Sequence, residues 1–328
     1  MPAKKLRWGL LSTARINRAV IPPIRASARG ELAAVASRDP AKADDYANEW
    51  NIPQTYGSYE ALLAADDIDV VYLSLPNSLH AEWAVKCVEA GKHVLVEKPF
   101  ALTVAEVDRM AEAAKRTGKV MAEAFMYRHH PQTLKAKELV ESGAIGEALL
   151  VRASFTFNLT RTVDVRLDPR LGGGSLWDVG CYPISLAQLV FGETPEEVAG
   201  WQKLDATGVD GSFVGQLRYP EDRFAQFDCG LRTPYRTHAE IVGSNGAITL
   251  TQPFKPDATS KLILRRNDAD EIISAPERPL YEGEVEDIHD AILNGAPPRV
   301  LLADSRRHIA TIVALYESAH TGKPVRVD

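Results

Sequence analysis

The sequence is poor in cysteine and has no surplus of positive charge. Its 328 residues include three cysteines, Cys87, Cys181 and Cys229, which are far apart and match no metal-ligand spacing. We therefore expect buried packing residues in a reducing compartment, with no disulfide framework and no metal site. Lysine and arginine number 38 against 44 acids, for a net charge of -6, and no segment gathers the bases into a stripe. Nucleic acid is therefore not an expected partner.

Long apolar runs are also missing. The start, MPAKKLRWGLLSTARIN, is basic, but Arg15 and Arg18 interrupt the apolar residues that follow. This stretch is too short for the core of a signal peptide and far too short to cross a membrane. The sequence therefore predicts a cytoplasmic protein. The chain is 45% hydrophobic and 25% charged, which is enough apolar material for one large core or two ordinary ones.

The first third of the chain has the rhythm of a parallel sheet. From Leu6 to about Ala122, short apolar runs such as LRWGLL, DVVYLSL and HVLVE alternate with amphipathic stretches. Strands joined by crossover helices and buried on both faces have this pattern. Asp39-Pro40 supplies a capping carboxylate and a proline at the first helical position, and Thr103 with Glu106 is typical of a capping box.

After Ala122 the rhythm changes. A long alternating strand, ALLVRASFTF, is followed by a glycine-rich loop and one helix, and the stretch from Val198 to about Ser274 is typical of successive antiparallel strands. We predict further helices at residues 131–142, 175–191, 284–294 and 304–320. The predicted fold is an α/β Rossmann domain over residues 1–122, followed by an α+β domain with a large, mostly antiparallel open sheet over residues 123–328.

The turn after the first predicted strand is a candidate phosphate site. In a dinucleotide-binding fold the pyrophosphate lies at the start of the first helix, where backbone N–H groups and the helix dipole favour an anion. None of the three glycines of G-x-G-x-x-G is present here, and an ordinary capped turn is the alternative. Small residues still permit close approach of the backbone, and serine or threonine hydroxyls are suitable donors to phosphate. The candidates are Ser12, Thr13, Ala14, Arg15 and Ile16.

The end of the second predicted strand indicates which dinucleotide binds. An acid at this place binds the ribose of NAD, whereas arginine accommodates the 2′-phosphate of NADP. The chain has Ser37-Arg38, with Lys42 one helical turn further, and the nearest acid, Asp39, is better explained as a helix cap. These residues favour NADP over NAD, although a solvated Arg38 is the alternative.

Three further segments occur in a characteristic order. They are LPNSLHAEW (75–83), Glu97-Lys98-Pro99 and GGGSLWDVGCY (172–182). With the WGLLSTA start, the ordered set resembles the Gfo/Idh/MocA family, which includes glucose-fructose oxidoreductase, inositol dehydrogenase, dimeric dihydrodiol dehydrogenase and NADP-dependent aldose dehydrogenases. The resemblance covers essentially the whole chain. It implies an N-terminal Rossmann domain, an open C-terminal sheet whose face often forms the subunit interface, and NAD(P)-dependent chemistry on sugars or related polyols.

Lys98 is the first catalytic candidate. It follows HVLV at the carboxyl end of a parallel strand, where open α/β sheets bind their ligands. A lysine there can bind a substrate oxygen or lower the pKa of a neighbour; a salt bridge with Glu97 is the alternative. The resemblance implies that Lys98 is catalytic, and Glu97 and Lys98 are also candidates for cofactor binding. We predict a cis bond before Pro99.

Asp178 and Tyr182 are the other catalytic candidates, and both are also candidates for substrate binding. They are four residues apart on the predicted helix after the glycine loop, so they share one face. The resemblance implies that a tyrosine at position 182 exchanges a proton with the reacting oxygen, helped by the charge of Lys98. Asp178 then orients the lysine or a substrate hydroxyl. The alternative is a buried, hydrogen-bonded tyrosine with a packing role.

The segment after the fourth predicted strand supplies further cofactor candidates. Leu75, Pro76, Asn77 and His80 lie between a strand and a helix, where Asn77 and His80 would flank the nicotinamide. Helix capping by Asn77 or Ser78 is an equally good explanation.

Two arginines are candidates for binding substrate hydroxyls. Arg128 follows the last strand of the predicted parallel sheet, and Arg166 precedes the glycine loop. Structural ion pairs explain either arginine equally well. The adjacent His129-His130 have no accompanying ligand cluster, so we expect structural roles and not a metal site.

Together these residues predict an NADP-dependent oxidoreductase that takes hydride from the anomeric carbon of an aldose such as xylose or glucose. A trans-dihydrodiol dehydrogenase or a carbonyl sugar reductase is the enzymatic alternative, and a non-catalytic NADP sensor is the alternative of another class. A sheet with one open apolar face needs a cover, so we expect a homodimer or homotetramer.

Overall fold

The computed structural model describes residues 5–327 and divides into two compact units. The first unit comprises the chain up to His129 together with Tyr281–Ser305, and the second comprises His130–Leu280 together with the chain from Arg306 onward. This division differs from the predicted boundary after residue 122. A segment of 25 residues near the end of the chain belongs to the first unit, and nothing in its local pattern signals that return.

The first unit is built on a parallel six-stranded sheet with the strand order β3-β2-β1-β4-β5-β6. Its strands are β1 (Leu6–Leu11), β2 (Gly30–Ala36), β3 (Gln54–Tyr56), β4 (Val70–Leu73), β5 (His93–Glu97) and β6 (Met121–Ala124). The helices between them are α1 (Asn17–Ala26), α2 (Pro40–Trp50), α3 (Tyr59–Leu63), α4 (His80–Glu89) and α5 (Val104–Thr117). The predicted Rossmann-like sheet is therefore confirmed, and the order reverses direction between β1 and β4.

The two predicted helix starts are confirmed. At α2 the Asp39 carboxylate accepts the N–H of Lys42, and Pro40 occupies the first helical position. At α5 the Thr103 hydroxyl accepts the N–H of Glu106, whose carboxylate accepts the N–H of Thr103 in return. Each cap satisfies amide groups that the helix itself leaves unpaired, which is worth about 1 kcal/mol.

The second unit contains a nine-stranded sheet with the order β14-β13-β12-β11-β7-β10-β9-β8-β15. Its elements before residue 281 are α6 (Pro131–Glu141), β7 (Ala148–Asn158), α7 (Cys181–Phe191), β8 (Glu197–Leu204), β9 (Asp210–Tyr219), β10 (Arg223–Gly230), β11 (Arg232–Gly243), β12 (Ala247–Leu250), β13 (Leu262–Arg266) and β14 (Ala269–Ile273). Only the central pair β7 and β10 is parallel among the pairings of its described strands. The predicted mostly antiparallel sheet is confirmed.

The chain closes with α8 (Glu282–Asn294), α9 (Leu302–Thr321) and the short strand β15 (Val325–Arg326). Helix α8 lies in the first unit, where Val285 and Ile288 are buried in the same apolar core as β1 and β2. The indole N–H of the fully buried Trp8 donates to Nε2 of His289 over 2.9 Å. Because that nitrogen is an acceptor, His289 is neutral, and burial lowers its pKa to about 4.

The nine-stranded sheet has one covered and one open face. On the covered face, Phe213 packs against Tyr316 of α9 with ring centroids 5.8 Å apart. On the open face, Trp201 of β8 is 58% exposed and Val214 of β9 is 47% exposed. Further exposed apolar side chains of this sheet are Leu149, Leu204, Phe224, Tyr235 and Ile272. The predicted open sheet with exposed apolar residues is therefore present.

The three cysteines are buried, as predicted, and none of them forms a disulfide. Within residues 5–327, none of the helices has both the length and the apolar character required to cross a membrane.

Candidate active site

The predicted cofactor segments of the first unit meet at one edge of the parallel sheet. Ser37, Ser12, Ser74 and Lys98 directly follow β2, β1, β4 and β5, which are consecutive neighbours in the sheet. All these strands are parallel, so their carboxyl ends lie at the same edge. We call the residues that follow them the carboxyl edge. The strand order reverses between β1 and β4, which is where open α/β sheets form their ligand crevice.

The turn after β1 has a glycine-like backbone without glycine. Ser12 has φ of +146°, a conformation that disfavours side chains. Its hydroxyl accepts the N–H of Ala14 at 3.1 Å and lies 2.9 Å from the hydroxyl of Ser74. Asn17 donates to the carbonyl of Ser12 at 2.8 Å and accepts from Ser74 at 2.7 Å. A buried network thus maintains the turn, and the hydroxyl of Ser12 is used locally. Ser74 and Asn17 were not among the predicted site residues.

The start of α1 fits a dinucleotide phosphate. No side chain caps this helix at Ile16, and Thr13, Ala14 and Arg15 are partly or fully exposed around the turn. The small side chains at positions 12 and 14 leave room for close approach, and the uncapped helix start favours an anion. The residues present therefore fit the cofactor that the sequence predicts.

The end of β2 carries the cation expected for an NADP site. Arg38 is exposed directly after the buried Ser37, whose hydroxyl accepts the N–H of Asp39 at 3.2 Å. Asp39 is held as the cap of α2 and pairs with Lys42 at 3.7 Å. The nearest acid thus caps the helix, as predicted, and Arg38 is an exposed cation at the end of β2.

His80, which the sequence predicts beside the nicotinamide, is a buried residue of the first unit. Its ring is completely buried, with Nδ1 2.8 Å from the carbonyl oxygen of Pro99 and Nε2 2.8 Å from that of Leu75. The imidazole therefore ties the segment after β4 to the segment after β5. The residues at the start of the 3-10 turn Asn77–Leu79 and of α4 are Pro76 and Leu79, and neither supplies a side-chain cap.

Several contacts fix the segment that carries Lys98. The bond between Lys98 and Pro99 is cis, as predicted. The Glu97 carboxylate accepts the hydroxyl of the buried Tyr72 and, at 3.3 Å, the backbone N–H of Lys98. Lys98 itself is half-buried. These contacts fix the backbone from which the Lys98 side chain extends at the carboxyl edge.

Glu123 contacts this segment from β6, and sequence reasoning missed it. It lies on β6, accepts the N–H of Phe100 at 2.9 Å and accepts the hydroxyl of Ser305 at 2.7 Å. Burial raises the pKa of Glu123 to about 7. An acid inside the apolar run KVMAEA was the available signal, because a buried acid needs a specific reason to be there.

In the second unit, Asp178 and Tyr182 lie on one helical segment, as predicted. The segment begins with a π-helical turn over Leu176–Gly180 and continues as α7. Asp178 is 9% exposed and Tyr182 is 4% exposed. The tyrosine ring packs against Phe155 and Phe254, with ring centroids 5.2 and 5.5 Å away. The difference from prediction is the π turn, a feature frequent at functional sites.

Arg166 forms the ion pair that was the alternative to substrate binding. Its Nε donates to Asp178 over 2.7 Å, and its Nη1 donates to Asp164 over 3.2 Å. The attraction of Asp178, with that of Asp164, raises the pKa of Arg166. The carbonyl of Arg166 also accepts the N–H of Gly174 at 2.9 Å. The arginine therefore lies beside the helix of Asp178, with 39% of its side chain exposed.

A buried carboxylate that sequence reasoning missed anchors this helix. Asp210 accepts the hydroxyl of Ser175 at 2.6 Å, the N–H of Leu176 at 2.7 Å and the hydroxyl of Tyr316 at 2.7 Å. Gly174, with φ of +125°, passes so close that a Cβ there would lie 2.1 Å from Asp210 Oδ1. The glycine-rich loop is thus required for this approach. No local pattern links a strand-initial aspartate to a helix start 34 residues earlier.

The remaining candidates have structural partners. Arg128 is buried and pairs with Asp304 at 3.9 Å, so the structure supports its ion-pair interpretation. His129 lies 3.9 Å from Asp287, and Nδ1 of His130 accepts the N–H of Gln132 to cap α6. No group of three metal-ligating side chains exists among the described residues.

The fold and the carboxyl edge define a dinucleotide-binding protein, and comparison with known proteins gives the family. Residues 6–125 match the oxidoreductase family with an NAD-binding Rossmann fold, and residues 133–249 match the GFO/IDH/MocA C-terminal domain. The chain belongs to the GFO/IDH/MocA oxidoreductase family, as the resemblance predicted. It is an oxidoreductase.

Similar proteins cover almost the whole chain. A D-xylose 1-dehydrogenase (NADP(+)) from Haloferax volcanii is 39% identical over 98% of this chain and 100% of its own length. A trans-1,2-dihydrobenzene-1,2-diol dehydrogenase from Xenopus laevis is 32% identical over 94% of this chain and 96% of its own. A 3-ketoreductase from Actinomadura kijaniata, solved with NADP and TDP-benzene, has a TM-score of 0.90 and 31% identity over 96% of this chain and 98% of its own.

Proposed function

We propose that the protein is an NADP-dependent dehydrogenase that oxidises the anomeric carbon of a free aldose, such as xylose or glucose, to a lactone. The observation that carries this proposal is the full-length similarity, at 39% identity, to an NADP-dependent D-xylose 1-dehydrogenase. Arg38 at the end of β2 and the commitment of Asp39 to the helix cap support NADP in preference to NAD. The bound nicotinamide supplies the hydride chemistry.

The carboxyl edge holds the cofactor in this proposal. The turn of residues 12–16 and the start of α1 bind the pyrophosphate through backbone N–H groups. Ser37, Arg38 and Lys42 bind the 2′-phosphate. Leu75, Pro76, Asn77 and Glu97 border the nicotinamide end. The buried His80 fixes the segments after β4 and β5, which border the nicotinamide in this proposal.

In this proposal the phenolate form of Tyr182 accepts the proton of the reacting hydroxyl and becomes a neutral phenol. A phenol at a helix start can exchange a proton within hydrogen-bond reach of a substrate. Its aromatic neighbours Phe155 and Phe254 fix the ring and exclude water from its faces. Asp178, held by Arg166, orients a substrate hydroxyl, and Lys98 donates a hydrogen bond to a substrate oxygen.

The decisive experiment incubates the purified protein with NADP+ and a panel of pentoses and hexoses, and follows the absorbance of the reduced cofactor. We expect turnover of at least one aldose, with a lactone as product. Turnover of trans-dihydrodiols alone would favour the alternative suggested by the 32% identical Xenopus laevis dehydrogenase. Reduction of keto sugars alone would favour the carbonyl reductase alternative, which the structural neighbour from Actinomadura kijaniata supports. Binding of NADP without turnover of any of these substrates would indicate a sensor.

We further propose a homodimer or homotetramer that works in the cytosol. The open face of the nine-stranded sheet exposes Trp201, Val214 and Phe224, and large apolar patches mark association surfaces. Buried free cysteines fit a reducing compartment. Light scattering at micromolar concentration tests the assembly, and a monomeric mass would contradict it.

A further inference from the structure

The loop before the glycine-rich segment repeats one small motif. Asp164-Val165-Arg166 and Asp168-Pro169-Arg170 each place an aspartate two residues before an arginine. In the first copy Asp164 Oδ1 accepts the N–H of Arg166 at 3.0 Å, and in the second Asp168 Oδ1 accepts the N–H of Arg170 at 2.9 Å. Each carboxylate also pairs with the guanidinium of its own arginine. The two aspartates thus have the same local task of starting a 3-10 turn.

The two copies differ in what surrounds the arginine. Arg170 is 87% exposed at its side chain and pairs with Asp168. Arg166 is 39% exposed and lies between two carboxylates, Asp164 at 3.2 Å and Asp178 at 2.7 Å. Asp164 is 8% exposed, so its charge is partly shielded from solvent. The first copy is therefore a charged cluster beside the helix of Tyr182, whereas the second is a surface pair.

The charge of this cluster bears on the substrate. Arg161 also pairs with Asp164, at 4.0 Å, so two guanidiniums and two carboxylates leave a net charge of about zero, with each cation of the cluster paired to an acid. Carboxylates and a donor of this kind suit neutral hydroxyl groups, which both donate and accept hydrogen bonds. An anionic sugar, in contrast, would lose hydration in a partly desolvated place without meeting an uncompensated cation of this cluster.

We propose that Asp164 is a specificity-determining residue that, with Asp178, balances the charges of Arg161 and Arg166 and so disfavours anionic sugars, both sugar acids and sugar phosphates, relative to uncharged ones. This proposal rests on the proposed function, because it takes the segment of Asp178 and Tyr182 as the substrate site. Capping alone does not require an acid at position 164, since asparagine and serine cap turns equally well. The carboxylate adds the charge that pairs with Arg166.

The test compares Asp164→Asn with the matched control Asp168→Asn. Both variants remove one carboxylate charge from the same loop and keep a capping side chain, but only the first leaves the cluster beside the helix of Tyr182 with a net positive charge. The substrates are glucose, which is neutral, glucuronate, which is singly charged, and glucose 6-phosphate, which is doubly charged. For Asp164→Asn we expect the ratio of kcat/KM for the anionic sugars to that for glucose to rise about 10-fold or more. For Asp168→Asn we expect no change in the ratio.

A purely structural role of Asp164 would lower kcat/KM for all three sugars together and leave the ratio unchanged, and this result would overturn the proposal. If Asp164→Asn does not fold, as judged by thermal unfolding, Asp164→Ser makes the same charge change with another cap. Calorimetric titration of glucuronate and glucose into the NADP-loaded wild type and variant measures the charge effect without turnover. A charge effect in binding without turnover of any aldose would overturn the proposed function alone. An unchanged binding ratio would overturn this proposal.

Discussion

The two candidate regions use their residues in different ways. At the carboxyl edge of the first unit, positions are fixed by strand ends, and most polar side chains hold loops together. Ser12, His80 and Glu123 all hydrogen-bond to other parts of the first unit and fix backbone segments there. In the second unit the chemistry lies in side chains of one short helical segment, whose start depends on the buried Asp210. A region of the first kind tolerates unusual residues when a network maintains its shape, as the glycine-free turn after β1 demonstrates. A region of the second kind depends on individual groups.

The largest effect should come from the helix of the second unit. Tyr182→Phe keeps the ring and its packing on Phe155 but removes the exchangeable proton, so turnover should fall about 10²- to 10⁴-fold. Initial rates with saturating aldose and NADP+ measure the change. Tyr235→Phe is the matched control, since Tyr235 also packs on Phe155 but is 53% exposed. Near-normal turnover of Tyr182→Phe would show that this tyrosine is not the proton acceptor.

The anchor of that helix should be next in size. Asp210→Ala leaves the donors of Ser175, Leu176 and Tyr316 without their acceptor, so the free energy of unfolding should fall by about 3 to 5 kcal/mol. Urea unfolding measures this loss. Tyr316→Phe removes a single donor and should cost about 1 kcal/mol. Equal losses for the two variants would contradict the view that Asp210 joins three elements.

At the carboxyl edge, stability should depend on pH through Glu123. Burial raises its pKa to about 7 in the folded protein, whereas an unfolded chain has a glutamate pKa of about 4.3. The protonated form is therefore favoured by folding, and the stabilisation is present below about pH 4.3 and lost as the pH rises through 7. The loss amounts to about 3 kcal/mol. Urea unfolding at pH 5 and pH 8 measures the free energy of unfolding of the wild type and of Glu123→Gln. Relative to the wild type, the variant should be more stable at pH 8 than at pH 5. The same difference in the free energy of unfolding between the two proteins at both pH values would refute this prediction.

The smallest of these effects concerns the cofactor. Arg38→Ala should raise the KM for NADP+ about 10- to 150-fold relative to that for NAD+, since charge-assisted contacts to a phosphate are worth about 1.5 to 3 kcal/mol. Arg18→Ala, which changes an exposed arginine of α1 paired with Glu49, is the control. The measurement is the ratio of the KM for NADP+ to the KM for NAD+ in each variant. Equal changes for both cofactors would show that Arg38 does not bind the 2′-phosphate.

The same contrast explains what the sequence made predictable. Strand ends follow from the local hydrophobic rhythm, so the positions of Ser12, Ser37 and Lys98 at the carboxyl edge are predictable from the sequence alone. Caps such as Asp39 were also found, because their signal lies within a few residues. Contacts between residues distant along the chain leave no such signal. The burial of His80 between two carbonyls and the anchoring of α7 by Asp210 depend on tertiary packing and were missed.

Arg166 and Asp178 are an intermediate case between locally predictable features and contacts that depend on tertiary packing. Each was a separate candidate, and the spacing of 12 residues gave no reason to join them. The π turn at Leu176–Gly180 likewise has no sequence rule that distinguishes it from an α turn. Local chemistry thus identified the residues, whereas their pairing required the structure.

The return of α8 to the first unit has a consequence for synthesis on the ribosome. The six strands of the parallel sheet are all complete by Ala124, yet Trp8 receives its acceptor only from His289. A nascent chain that ends before Tyr281 therefore has every strand of its nucleotide fold but an unsatisfied indole N–H and an uncovered apolar surface where Val285 and Ile288 belong. The first unit to begin translation is consequently completed only after residues 281–305 have been synthesised.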